Sequence, residues 1–195
     1  RLRKQKALEK WSESEKEKIE YYKMLQYFFF KQWRALKEYA NEKGIYIIGD
    51  IPIYVSADSA DLWTNPKQFY VDKDIQPIDV AGCPPDAFTA DGQLWGNPVY
   101  NWEYHKKTKY EWWKNRIGHC FKIYDVIRID HFRGFDEFYC VPFGSENAKK
   151  GEWRKGPGLD LFKALKNEFG ELPIIAEDLG FLTDSVRSLL RDVGY

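Results

Sequence analysis

Only three cysteines occur in the 195 residues, Cys83, Cys120 and Cys140, and no Cys-x-x-Cys pair is among them. An odd number without that spacing argues against a disulfide framework and a structural zinc site. The reading is a reducing, cytoplasmic setting. Long apolar runs are missing as well. The longest, residues 24–30, is interrupted by Gln26 and falls far short of the roughly 20 residues that span a bilayer. The lysine- and arginine-rich start lacks the apolar segment of a signal peptide, so no membrane partner is expected. Charge of one sign is not in excess either: Lys plus Arg and Asp plus Glu both number 30. That balance removes the broad attraction through which nucleic acid is held. No Gly-x-Gly-x-x-Gly or Walker sequence follows a strand-like run, and neither His-Glu-x-x-His nor a histidine cluster occurs. Nucleotide, cofactor and metal are therefore not expected.

What is present is aromatic. Eight tryptophans, 13 tyrosines and 13 phenylalanines make up 17% of the chain, and flat rings suit the apolar faces of sugars. A neutral ligand fits both this content and the charge balance. Many of these rings will nevertheless be core.

Residues 12–43 read as one amphipathic helix, with Ile19, Tyr22, Leu25, Phe29, Trp33, Leu36 and Ala40 at three- and four-residue spacing and Gly44 closing it. The chain starts at Arg1, without methionine, next to this pattern, and the expectation is a piece of a longer polypeptide. Residues 45–48 form a short apolar run that leads into Gly49-Asp50-Ile51-Pro52. Residues 51–101 hold most of the nine prolines and read as a long, irregular, loop-rich insertion. Helical spacing returns over 102–124, followed by the strand-like Val126-Ile127-Arg128-Ile129-Asp130. A helix over 159–169 precedes Pro173-Ile174-Ile175-Ala176-Glu177-Asp178, and Thr183 is placed to cap one more.

Such alternation implies an α/β fold with parallel strands, either a doubly wound sheet or an eight-stranded barrel. Both set active residues at the carboxyl ends of strands. Without a nucleotide signature the barrel is preferred. About three strands with flanking helices are then a portion of a (β/α)8 TIM barrel, which typically takes about 250 residues. The expected organisation is a partial catalytic domain over 1–195, with 51–101 inserted in it.

Side chains alternate along a strand, so Arg128 and Asp130 share one face, as do Ile48 with Asp50 and Ile175 with Glu177. If the second and third strands are neighbours, their spacing of about 4.7–4.9 Å approaches the ~5–5.5 Å between the carboxyls of retaining glycosidases. Arg128 favours an ionised, nucleophilic Asp130. Glu177 follows an apolar strand, where desolvation could keep it protonated as a general acid. The alternative at this point is that the acids are structural ion pairs. His131, next to Asp130, is either a sugar ligand or structural.

The run Arg128-Ile129-Asp130-His131-Phe132-Arg133-Gly134-Phe135 resembles the 4-α-glucanotransferases of glycoside hydrolase family 77. The resemblance continues in order through Gly49-Asp50-Ile51-Pro52-Ile53-Tyr54-Val55, Pro84-Pro85-Asp86-Ala87-Phe88, Gly92-Gln93-Leu94-Trp95-Gly96-Asn97-Pro98, Gly156-Pro157-Gly158 and Ala176-Glu177-Asp178-Leu179-Gly180. It implies a retaining double displacement on α-1,4-glucan, with a maltodextrin donor and a sugar acceptor. Asp130 would be the nucleophile and Glu177 the acid/base, with Arg128 orienting Asp130. Asp50, Trp95 and His131 match sugar-contacting positions, Trp95 on a loop covering the cleft, and Asp86 and Tyr54 are weaker candidates. An aromatic region over 70–102 would exclude water and favour transfer.

The sequence departs from the family in one respect. The third carboxylate belongs to a His-Asp motif, and no His-Asp pair occurs here. These residues alone are therefore expected to be inactive. The rival readings are an α-amylase-like retaining hydrolase and a non-catalytic carbohydrate-binding fragment.

Overall fold

The computed structural model describes residues 2–179 and 182–195. Arg1 and the motif position Gly180 lie outside the described residues.

The first helical stretch is two helices, α1 (Gln5–Ser14) and α2 (Lys16–Glu42), where the sequence suggests one. The joint has a local cause. The Ser14 hydroxyl donates to the Trp11 carbonyl at 3.1 Å, a side-chain bond that competes with the helical ladder. Helix α2 ends as expected, with Gly44 in the left-handed region (φ 73°) and the Ile45 N–H returning to the Ala40 carbonyl at 2.9 Å. Its apolar stripe is not buried, however. Tyr22, Leu25, Phe29 and Leu36 are exposed, and Trp33 is tied down through its indole N–H, which donates to the Ile123 carbonyl at 2.8 Å, and through an edge-on contact with Tyr124 at 6.5 Å.

Strand β1 (Ile48–Ile51) begins three residues later than the apolar run suggests. Ile45 and Tyr46 remain exposed, and the Ile47 N–H is taken by the Asp125 carboxylate at 2.8 Å. The following segment contains more regular structure than its prolines imply. It holds the short helix α3 (Ala60–Thr64), capped by Ser59, and the strands β2 (Asp79–Cys83) and β3 (Gln93–Pro98).

Helix α4 (Trp102–Lys107), capped by Asn101, and helix α5 (Glu111–Ile123) replace the single helix expected over 102–124. Lys109 and Tyr110, both at positive φ, break it. Strand β4 (Val126–Ile129) leads into a turn of 3-10 helix (Phe132–Phe135) and then β5 (Glu137–Pro142) and β6 (Glu152–Lys155). Helix α6 (Leu159–Phe169), strand β7 (Ile174–Ala176) and helix α7 (Asp184–Val193) follow, with Thr183 capping α7 as expected.

Two sheets result: a parallel one in the order β1-β4-β7 and an antiparallel one in the order β3-β2-β5-β6. The antiparallel sheet adds four strands to the three that the sequence suggests. It also unites β2 and β3 with strands that come after β4. The fold is thus mixed α/β.

The parallel sheet positions the acids. Asp50 is in register with Arg128, and Arg128 with Ile175. On β4, Ile127 and Ile129 are buried and Arg128 is half-exposed. The two isoleucines pack in the main core with Trp113, Phe132, Phe135, Leu161 and Leu165, and burying each contributes about 1.5–3 kcal/mol. That parity leaves the Ile48, Asp50, Arg128 and Ile175 face for the site. Among the described residues, no helix is long and apolar enough to cross a membrane.

Candidate active site

The ladder runs one step past the strands. The Asp130 N–H donates to the Ile51 carbonyl at 2.9 Å, and the Glu177 N–H to the Ile129 carbonyl at 3.0 Å. Asp130 and Glu177 therefore leave the ends of adjacent strands on the same face. Both line one cavity of about 450 Å³, together with Pro52, Ile53, Tyr54, Trp95, Asn97, Arg128, His131 and Leu179. A larger cavity of about 570 Å³, lined by Leu2, Arg3, Lys4, Ala7, Leu8, Trp11 and Trp63, includes no acid and is not the candidate.

Arg128 sits between two carboxylates. Its Nη1 lies 2.7 Å from both oxygens of Asp50 and 3.2 Å from Oδ1 of Asp130. The hydrogen bond to Asp50 is the largest cause that raises the guanidinium above its ordinary value, and the charge of Asp130 adds to it. Asp50 thus reaches the cavity through Arg128.

Glu177 is held by main-chain donors. Its Oε2 accepts the His131 N–H at 2.8 Å and its Oε1 accepts the Leu179 N–H at 2.5 Å. Each oxygen accepts one N–H and keeps a second lone pair, so Glu177 can carry a proton with both bonds in place. Pairing of this kind is not the bare, desolvated acid that the apolar strand suggests.

His131 has a left-handed backbone (φ 53°, ψ 47°), which is uncommon for a residue with a side chain. Its ring meets Trp95 edge-on, with centroids 4.8 Å apart. Burial, then the nearby Arg133 charge, lowers its pKa to about 4 against a smaller opposing pull from Asp130. The ring is neutral at neutral pH. Gly134 makes room for it, because a Cβ there would come within 2.8 Å of Ile53 and 3.2 Å of His131.

Trp95 lies on β3 and not on a loop, half-buried against the core. The turn at Gly92 sets β3 back on β2, so of the two glycines that suggest a loop one precedes the strand and the other, Gly96, lies within it. Tyr54 lines the cavity but is buried, stacked on Tyr100 at 5.9 Å. Asp86 is not brought to the cavity. Its Oδ1 accepts the Phe88 and Thr89 N–H groups at 2.8 Å, which makes it the organiser of a turn that leaves Phe88 95% exposed.

Pro52, Ile53, Asn97 and Leu179 are cavity residues that side-chain reasoning did not single out. Asn97 donates to the Val55 carbonyl at 2.9 Å and so ties β3 to the segment after β1. Its position in the Gly-Asn-Pro motif was the available signal. Among the described residues, no three His, Cys, Asp or Glu side chains group as metal ligands do.

Fold and site place the chain among mixed α/β proteins that gather acids at the carboxyl ends of parallel strands. The family model described as 4-alpha-glucanotransferase, glycoside hydrolase family 77, matches residues 1–195, and the chain belongs to that family. It is 53% identical to a 4-alpha-glucanotransferase of Streptococcus pneumoniae over 195 residues, 100% of this chain and 39% of that protein. It is 50% identical to the Clostridium butyricum 4-alpha-glucanotransferase over 196 residues, 100% of this chain and 40% of that protein. Among solved structures, the amylomaltase of Streptococcus agalactiae in complex with acarbose superposes with a TM-score of 0.97 at 49% identity, covering 100% of this chain and 39% of that one. The chain thus spans about 40% of the length of these curated relatives.

Proposed function

We propose that this chain carries the central part of the active site of a 4-α-glucanotransferase that moves α-1,4-glucan segments from a maltodextrin donor to a sugar acceptor. The observation that carries the reading is the pairing of Asp130 and Glu177 at the ends of adjacent parallel strands, lining one cavity with Arg128. Family membership and the relative solved with acarbose support a sugar ligand. The parallel strands β1, β4 and β7 are then a portion of a (β/α)8 barrel within a catalytic domain over 1–195, and 51–101 is its insertion. The free thiols of Cys83, Cys120 and Cys140 suit a cytoplasmic setting.

In the first step an Asp130 oxygen attacks the anomeric carbon while the glycosidic C–O bond breaks. The departing oxygen takes the bond's electron pair and a proton from Glu177. In the second step the acceptor's 4-hydroxyl attacks the same carbon, the Asp130–carbon bond breaks, and the hydroxyl proton passes to Glu177. Arg128 orients Asp130 from its ion pair with Asp50. Tyr54, Trp95 and His131 flank the donor sugar, Asp50 acts on it through Arg128, and Asp86 shapes a neighbouring turn. The family's third carboxylate is supplied from outside this sequence.

Purified full-length protein given maltotriose yields a ladder of longer maltodextrins. Glucose as the only new product would replace transfer with an α-amylase-like hydrolysis. In that protein Asp130→Asn abolishes turnover, and Glu177→Gln lowers it by about 10²–10⁴-fold, the usual contribution of a general acid. Unchanged turnover in both would leave only a sugar-binding role.

A further inference from the structure

The peptide unit that follows Asp130 contacts Glu177: the His131 N–H donates to Glu177 Oε2 at 2.8 Å. The position of that N–H depends on a backbone that is costly to hold, since a non-glycine residue in the left-handed region gives up about 1–2 kcal/mol. Something must retain residue 131 in it. The neutral imidazole is packed for that purpose, with the Trp95 edge 4.8 Å away between centroids and with Gly134 leaving space beside Cδ2. Trp95 is anchored in turn. Its indole N–H donates to the Gln93 side chain at 3.0 Å, and its ring lies 6.2 Å from that of Tyr54. A contact path therefore runs from β3 of the antiparallel sheet, through two rings, to a carboxylate at the end of β7.

We propose that Trp95 and His131 are positioning residues for Glu177: the indole–imidazole contact fixes the backbone of residue 131, whose N–H sets the carboxylate for proton transfer. This role goes beyond sugar contact. It rests on the reading of Glu177 as the acid/base.

The test compares two donors in the full-length protein. Maltotriose needs its leaving oxygen protonated, whereas α-maltotriosyl fluoride releases fluoride without that proton. The readouts are kcat on maltotriose and single-turnover release of fluoride. Trp95→Leu removes the ring contact, and His131→Val disfavours the left-handed backbone. Each is expected to lower kcat on maltotriose by up to about 100-fold, the scale of a roughly 1 Å misplacement. Fluoride release falls only by what the lost sugar contacts of these two residues cost, so the readout is the ratio of the two losses, with the loss on maltotriose the larger. Trp95→Phe, which retains an aromatic edge, recovers part of the loss on maltotriose.

Equal losses on both donors, with Glu177→Gln still separating them, would overturn the proposal while leaving Glu177 as the acid/base. If Glu177→Gln fails to separate the donors, the acid/base reading itself falls, and the proposal falls with it. Release of fluoride also certifies that a variant is folded. Should neither Trp95→Leu nor His131→Val fold, Trp95→Phe decides: a larger loss on maltotriose than on the fluoride supports the path, and an equal loss on both donors refutes it.

Discussion

Arg128 holds Asp50 more closely than Asp130, with Nη1 at 2.7 Å from the first and 3.2 Å from the second. The two acids come from different strands, since Asp50 faces Arg128 across the β1–β4 register. One guanidinium thus ties the end of β1 to the acid that follows β4. All three contacts come from the one Nη1, which the rigid guanidinium plane holds in place, whereas a lysine ammonium is a point charge on a flexible stem.

Arg128→Lys is therefore expected to lower kcat on maltotriose by up to about 100-fold, as reacting groups drift by roughly 1 Å, with KM changing much less. Asp50→Asn should act in the same direction and more weakly, because Arg128 retains its contact with Asp130. Steady-state kinetics of the full-length variants check both. A kcat within twofold of the parent for Arg128→Lys would remove the bridging role.

At the other end of β4, Asp125 fastens three elements. Its Oδ2 accepts the Ile47 N–H at 2.8 Å and the Asn41 side-chain N–H at 2.9 Å, and its Oδ1 pairs with Lys37 at 3.1 Å. Burial opposes the charge most strongly, yet the Ile47, Asn41 and Lys37 contacts together hold the carboxyl below its ordinary value. Asp125→Ala leaves a backbone donor and a cation without their partner, at a cost of about 1–3 kcal/mol. The sign in pH follows. A depressed carboxyl stabilises fully above its unfolded pKa of about 3.9, and the contribution is lost as pH falls through the folded value. Urea midpoints of parent and variant should differ at pH 7 and converge below pH 4; equal midpoints at pH 7 would dismiss the role.

The parallel strands were legible because two local signals agreed on them: apolar runs too short for helices, and an acid closing each run. Val126–Ile129 and Ile174–Ala176 fall inside the segments so marked, and Leu159–Phe169 matches the helix pattern between them. The antiparallel sheet was not legible. Strand β6 is Glu-Trp-Arg-Lys, without apolar alternation, and becomes a strand only by pairing with Glu137–Cys140 of β5. That information is non-local. Residues 12–43 misled in another way, since periodicity marks an apolar face without saying what covers it. At the site, the acids and Arg128 were legible by parity, but the hold on Glu177 was not. Its donors are the main-chain N–H groups of His131 and Leu179, which no side-chain pattern reveals.

Two imidazoles, one buried and one half-buried, set the response to mild acid. His105 is completely buried, and its Nε2 is 3.0 Å from the Gln68 carbonyl. Burial, only partly offset by that carbonyl, lowers its pKa to about 4, and His131 is lowered to about 4 as well. In the unfolded chain both would titrate near about 6.5. Between these values the unfolded state binds more protons than the native one, so stability rises with pH. The contribution is complete above about pH 6.5 and is lost as pH falls through 4. The window lies above that of Asp125, which separates the two effects experimentally. Each histidine adds a slope of at most about 1.4 kcal/mol per pH unit, so the unfolding free energy from urea titrations should fall by about 1–2 kcal/mol between pH 6 and pH 5. A flat profile across that interval would mean that the imidazoles are protonated in the folded state. The His131 ring would then meet Trp95 as a cation, and its neutral packing would no longer explain the backbone at residue 131.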